Sequence, residues 1–186
     1  MNRYLVAMIV SLGLIILLIV LLVGGGSKKS TLFPTKLLPA YANSNAVVRL
    51  TIDGPIVANQ NHNYLQVTVG QNAVTYNLFQ GYNNNVIVSK IYNNNLNSYR
   101  AFLYALYYAG FSEGNNNPKL SNSTGYCSIG DVFTFELIQN NHDIQKYWAT
   151  NCSSTPKTFN GQLSSVVDLF KAQVPNYYQL TSKGNF

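Results

Sequence analysis

The chain has 186 residues and a formal charge of +6, yet only 10% of its residues are charged, against about 25% in an ordinary soluble domain. Four of its 12 basic residues, Arg3, Lys28, Lys29 and Lys36, precede Ala46, so the remainder carries eight bases against six acids. Without a clustered basic face there is nothing to neutralise a phosphate backbone, which excludes nucleic acid as a partner.

Leu5 to Val23 is a run of apolar and small residues without a charge. At about 1.5 Å per residue it matches the roughly 30 Å hydrocarbon core of a bilayer. A cleaved signal has a shorter apolar core and a small-residue cleavage site. This run is longer and is followed by Gly24-Gly25-Gly26-Ser27-Lys28-Lys29. No cysteine near its end suits a lipoprotein anchor, and no early glutamate suits a pilin leader. The expectation is an uncleaved transmembrane anchor over 1–23, with residues 5–23 in the lipid bilayer. Lysines at 28, 29 and 36 would by themselves keep the long side inside, but long domains translocate largely regardless of charge. The expected topology is a cytoplasmic amino terminus and an outer carboxy-terminal domain. Residues 24–45 read as a flexible stalk, held extended by Pro34 and Pro39.

From residue 46 to 186 a single domain is expected. Strands are read at Val47–Asp53, Tyr64–Gly70, Ala73–Gln80 and Val86–Tyr92, each rich in β-branched or aromatic residues and bounded by Gly, Asn or Pro. Leu96, Tyr99, Phe102, Leu103, Leu106 and Tyr107 then recur at helical spacing, with Gly110 suited to the C-cap. Ser112 to Gly125 reads as a mobile loop. Val132–Gln139 and Asp143–Ala149 form a hairpin turning at Asn140-Asn141. A second helix presents Leu163, Val166, Val167 and Phe170, and Pro175 stops it. The fold class is α+β: an amino-terminal transmembrane helix, then a mainly antiparallel sheet of about six strands packed against two helices.

Cys127 and Cys152 flank that hairpin at its open end, and an even count in an exported domain points to a disulfide. No other residue set carries a catalytic signature. A sortase-like transpeptidase would use Cys152 as thiolate and an arginine after it, but Arg3, Arg49 and Arg100 all precede the cysteine. His62 and His142 stand in loops or turns, and neither C-x₂₋₄-C nor H-x₃₋₅-H spacing occurs, so no metal and no cofactor are expected. Glu136 is read as solvent-facing. Tyr126, Tyr147 and Trp148 are candidates for a contact surface, although burial in the hairpin packing competes for them. On the first helix, Tyr107 belongs to the buried stripe, which leaves Tyr104 and Tyr108 as an exposed aromatic patch.

Several segments also carry a family resemblance. VRLTIDGPIVA (Val48–Ala58), GY…VIVSKIYNN (Gly81–Asn94), FLYALYYAGF (Phe102–Phe111) and GYCSIGDVFTFEL (Gly125–Leu137) with the later YWATNC, TFNG and LFKAQVPNY form one set. This set resembles a recurring group of membrane-anchored surface proteins of Saccharibacteria, ultra-small epibiotic bacteria of the candidate phyla radiation. The resemblance implies a location and a fold, and no activity. The strand–helix–hairpin–helix order, with AFLYALYYAGF, is also similar to emfourin-type protease inhibitors. The expected function is a non-enzymatic, extracytoplasmic binding or envelope-structural module whose partner is a surface protein or glycan. The alternatives are an inhibitor of a secreted protease or a sortase-like enzyme.

Overall fold

Period-two alternation builds the sheet. In the computed structural model, which describes residues 36–184, β1 (Val47–Asp53), β2 (Asn63–Val69) and β3 (Ala73–Gln80) each bury every second residue on one face. β4 (Asn85–Asn93), β5 (Val132–Gln139) and β6 (His142–Thr150) complete an antiparallel six-stranded sheet in the order β4-β3-β2-β1-β5-β6. The α+β class and the six strands follow the sequence reading. The anchor over 5–23 lies outside the described residues, among which no helix is long and apolar enough to cross a membrane.

Helix α1 (Leu96–Tyr108) starts where the Asn95 side chain accepts a 3.0 Å hydrogen bond from the Ser98 amide. It stops in a Schellman arrangement. The Gly110 amide donates to the Tyr107 carbonyl and the Phe111 amide to that of Leu106, with Gly110 at φ +79°. A side chain at Gly110 would also meet the Gly161 backbone at 3.0 Å, where the entry to α2 (Leu163–Lys171) crosses the end of α1. The short helix α3 (Tyr177–Thr181), not expected from the sequence, follows Pro175.

Inward-facing strand residues Val48, Leu50, Leu65, Val67, Tyr76 and Phe135 meet Phe102, Leu103, Val166 and Phe170 of the helices in one core. Aromatic rings link the layers. Phe102 meets Phe170 edge-on at 5.2 Å, Phe170 lies 6.1 Å from Phe111, and Phe111 lies 6.1 Å from Phe135. Tyr99 is fully buried, and its hydroxyl donates a 2.8 Å hydrogen bond to the Ala46 carbonyl. Tyr99→Phe leaves that buried carbonyl unpaired and should lower stability by about 1–2 kcal/mol. Urea denaturation checks this, and no shift in midpoint would refute it.

Several expectations require correction. The stalk does not run to residue 45 as an extended chain. Leu38–Asn43 is a 3-10 helix whose Leu38 and Tyr41 are buried in the core, and Asn43 accepts a 3.0 Å hydrogen bond from Arg100. Pro39 falls in its first turn, where a missing amide hydrogen is harmless. Glu136 does face away from Phe135, but its side chain is only 8% exposed. The register sets it between Arg49 and Lys146, whose charged ends lie 3.6 and 3.0 Å away, so the flanking cations cover it. Tyr107 sits outside the buried stripe, where Leu106 and Tyr99 carry the contact. The Ser112–Gly125 stretch, read as a mobile loop, contains a short 3-10 helix at Pro118–Leu120 and is pinned to the body by a bridge from Gly114 to Phe159 and by Trp148.

Candidate functional site: the disulfide-closed end of the sheet

The strand register collects four segments at one end of the sheet. Asp53 lies opposite both Tyr64 and Val132, Gln80 opposite Asn63 and Asn85, and Val132 opposite Thr150. The loops 54–62 and 81–84, the approach to β5 and the exit from β6 therefore share this edge. Cys127 and Cys152 are bonded here, with Cα atoms 5.8 Å apart, as the hairpin geometry requires. In this oxidation state neither sulfur is a thiol, which leaves the sortase-like alternative without its nucleophile.

Asn151 holds the approach to β5 in place. Its Oδ1 accepts a 2.8 Å hydrogen bond from the Asp131 amide, and its Nδ2 donates to Asp131 Oδ2 at 3.1 Å. A side chain at Gly130 would strike Asn151 Oδ1 and come within 2.9 Å of Cys127 Sγ, so only glycine fits this turn. The consequence is that Ile129 is thrust outward, 88% exposed. Its neighbour Ser128 accepts a 2.9 Å hydrogen bond from the Ile56 amide, which ties this segment to the 54–62 loop.

His62 organises that loop from beneath. It is 2% exposed, its Nε2 lies 3.0 Å from Asp53 Oδ1 and its Nδ1 lies 3.2 Å from the Pro55 carbonyl. Both nitrogens face acceptors, and both donate only in the imidazolium form. Burial pushes the Asp53 carboxyl above its ordinary range, the partnership with His62 opposes this, and the nearby Asp131 adds to the rise. Burial also raises Asp131, against the Asn151 hydrogen bond and the charge of Lys171. The His62 ring stacks on Tyr82 with centroids 4.0 Å apart and planes 12° from parallel. The Tyr82 hydroxyl donates to the Val57 carbonyl at 2.9 Å, and the Tyr82 amide donates to Asn59 Oδ1 at 2.9 Å.

The product is a braced rim on which Ile56, Val57, Tyr82 and Ile129 all stand exposed. Apolar side chains held this way can supply a contact surface to a partner at little ordering cost. His62→Ala should remove about 2 kcal/mol of stability by emptying the site of a ring that is almost fully buried and stacked on Tyr82. Amide exchange at 54–62 should rise while that of α2 stays unchanged; equal exchange in both proteins would show that His62 does not brace the loop.

The candidate residues read from the sequence fare differently. Cys127 and Cys152 are joined as expected. Tyr104 and Tyr108 are exposed on α1, with Tyr107 beside them, its ring 5.5 Å from that of Tyr108. Tyr126 lies 5.2 Å from Trp148, but Trp148 is buried and its Nε1 donates to the Leu120 carbonyl at 2.7 Å. Tyr147 is also buried, on the inner face opposite Phe135. Neither is available to a partner, because the 114–126 segment closes over both: Leu120 takes the Trp148 Nε1 hydrogen bond and Gly114 lies against the Tyr147 ring. The rim residues Ile56, Val57, Tyr82 and Ile129 were not singled out. A signal did exist: apolar residues directly after the Asp53-Gly54-Pro55 turn and between Ser128 and Gly130 have no strand or helix in which to be buried.

A groove of about 630 Å³ runs along α3 and is lined by Asp168, Lys171, Tyr177 and Tyr178. Lys171 Nζ sits 5.7 Å above the Tyr177 ring and 3.9 Å from Asp168. Among the described residues, no three His, Cys, Asp or Glu side chains are grouped to hold a metal ion. Comparison with protein-family models, with curated proteins and with solved structures gives no match to this chain.

Proposed function

We propose that this protein is an extracytoplasmic binding module carried on an amino-terminal membrane anchor, with the disulfide-closed rim as its contact surface. The observation that carries this reading is the disulfide-braced, 88% exposed Ile129, joined through Ser128 to the exposed Ile56 and Val57. Single exposed apolar residues are ordinary on a soluble domain, but several held together on one rim by a disulfide and hydrogen bonds mark a contact surface. The apolar run Leu5–Val23 and the resemblance to surface proteins of Saccharibacteria support the location. A protein or glycan on the cell surface is the kind of partner that fits.

Two measurements test the two halves of the proposal. Protein extracted from native membranes, alkylated before and after reduction, should show the full-length mass and gain two labels only after reduction. Two labels without reduction would refute the exported location. A photo-crosslinking residue at position 129, used on intact cells, should give a discrete adduct. The same residue at the exposed Asn72, at the opposite end of the sheet, should give none. Equal adducts at both positions would remove the rim as the contact surface. The protease-inhibitor reading rests on the same braced loop, and it requires that Ile129→Asp abolish tight inhibition of a secreted protease.

A further inference from the structure

One peptide unit joins the two halves of the rim. The Pro55 carbonyl lies 3.2 Å from His62 Nδ1, and the amide on the other side of the same peptide bond, that of Ile56, donates to the Ser128 carbonyl at 2.9 Å. His62 therefore holds one end of a rigid plane whose other end ties the 54–62 loop to the segment that carries Ile129. A carbonyl only accepts, so the His62 contact exists only while Nδ1 carries a hydrogen. The other ring nitrogen, Nε2, lies 3.0 Å from Asp53 Oδ1, and that contact needs a hydrogen on one atom or the other.

Both contacts together require two protons on the His62–Asp53 pair, as imidazolium beside carboxylate or as imidazole beside carboxylic acid. With one proton, the state reached as pH rises, the ring turns a bare lone pair toward one of its two acceptors. The bond to a carboxylate is the stronger, so the hydrogen stays on Nε2 and the Pro55 carbonyl is released. A third proton, taken up in acid by the outer carboxylate oxygen, leaves both contacts in place. Several elements face this pair: Asp131 from the approach to β5, Tyr64 from β2 with its ring 6.3 Å away, and Tyr82 from the 81–84 turn, stacked at 4.0 Å. Lys171 of α2 acts on Asp131. Burial, and after it the charge of Asp131, push the Asp53 carboxyl upward against the pull of His62, which favours keeping the second proton.

We infer that the rim is a proton-gated contact surface: its joined form holds one proton more than its released form, so a partner that grips Ile56, Val57 and Ile129 together binds more tightly as pH falls. The use of the gate by a partner rests on the rim reading proposed above; the gate itself is a property of the free protein.

The test uses the full chain in mild detergent, with the Cys127–Cys152 bond verified by mass and the fold of each variant by circular dichroism. The Ile56 amide reports the gate. Its exchange protection, corrected for the intrinsic effect of pH, should fall at least tenfold from about pH 5.5 to about pH 8.5, the span in which protein histidines commonly titrate. The midpoint should coincide with the change in the His62 ring nitrogen shifts. The Val67 amide, in a strand paired on both sides, should change less than twofold. Asp53→Asn supplies permanently the hydrogen that the carboxyl supplies only when protonated, so that Nε2 accepts from residue 53 while Nδ1 donates to Pro55. In this variant Ile56 should stay protected across the whole range. On intact cells, the photo-crosslinker at position 129 should give at least threefold more adduct at the lower pH than at the higher, and Asp53→Asn should remove the difference.

Ile56 protection that stays flat while the ring titrates would overturn the inference, and so would a ring that does not titrate in this span. A folded Asp53→Asn variant that keeps the wild-type pH dependence would overturn it as well. Failure of the rim reading looks different: protection of Ile56 follows pH in the free protein, yet position 129 gives no more adduct than position 72 at either pH. That result would strike the contact surface and leave only a proton-linked loop.

Discussion

Removing the Cys127–Cys152 bridge, as the double variant C127A/C152A, should lower the unfolding free energy by about 3.5 kcal/mol. Closing a loop across 25 sequence positions removes that much conformational freedom from the unfolded chain in the chain-entropy model. A domain of this kind has a total stability of about 5–15 kcal/mol, so the loss is large. The β5–β6 ladder should survive, because its turn carries its own conformational signal: Asn140 and Asn141 have φ of +52° and +62°, as a two-residue hairpin turn demands. The damage should concentrate at the approach to β5, where Gly130 and Asn151 pack against the cysteines. Urea denaturation of the full chain gives the free energy, and amide exchange at 125–131 gives the location. A loss below about 1 kcal/mol would mean that the unfolded chain already keeps the hairpin closed, so that the bridge constrains little.

Replacing Phe135 by alanine should cost about 3–5 kcal/mol, the range for a large buried aromatic truncated in a packed core. Phe135 is fully buried on the inner face of β5, opposite Leu50 on one side and Tyr147 on the other. Its ring lies 4.4 Å from that of Phe159 and 6.1 Å from that of Phe111. Those two residues come from the segments that follow β6 and α1, so one cavity loosens the sheet, the β6 edge cover and the helix layer together. Phe135→Leu keeps most of the volume and should lose well under half as much. Equal losses for the two variants would show that the site is not tightly packed. The thermal midpoints of the wild type and both variants decide it.

The six strands and the helices α1 and α2 were legible because each has a period that survives without its neighbours; the short helices Leu38–Asn43 and Tyr177–Thr181 have too few turns to show one. Alternation in β1, β2 and β3 marks a sheet with one buried face, and the spacing of Tyr99, Phe102, Leu103 and Leu106 marks a helix. β4 and β6 gained one residue at each end, where a hydrogen-bonding partner extends the ladder past the apolar pattern, and β2 shifted by one residue to Asn63–Val69. The disulfide was legible because a tight hairpin fixes where its two flanks meet. Glu136 was not. Its burial depends on Arg49, 87 positions earlier in the chain, arriving at the same rung as Lys146. Trp148 was ambiguous, since a tryptophan at a strand end is a contact residue or a packed one according to whether a loop closes over it.

The amino-acid sequence by itself determined the local elements of this protein, the hairpin turn and the pairing of its two cysteines, because these depend on side-chain periodicity and on residues near in the chain. It also carries the apolar run from which a membrane anchor is expected. The tertiary structure alone decided that β1 lies between β2 and β5, and that His62 is buried against Asp53 and beneath Tyr82. It alone brought Ile56, Val57, Tyr82 and Ile129 onto one rim. These arrangements join segments tens of residues apart, and no local propensity encodes which distant strand supplies the next rung of a ladder.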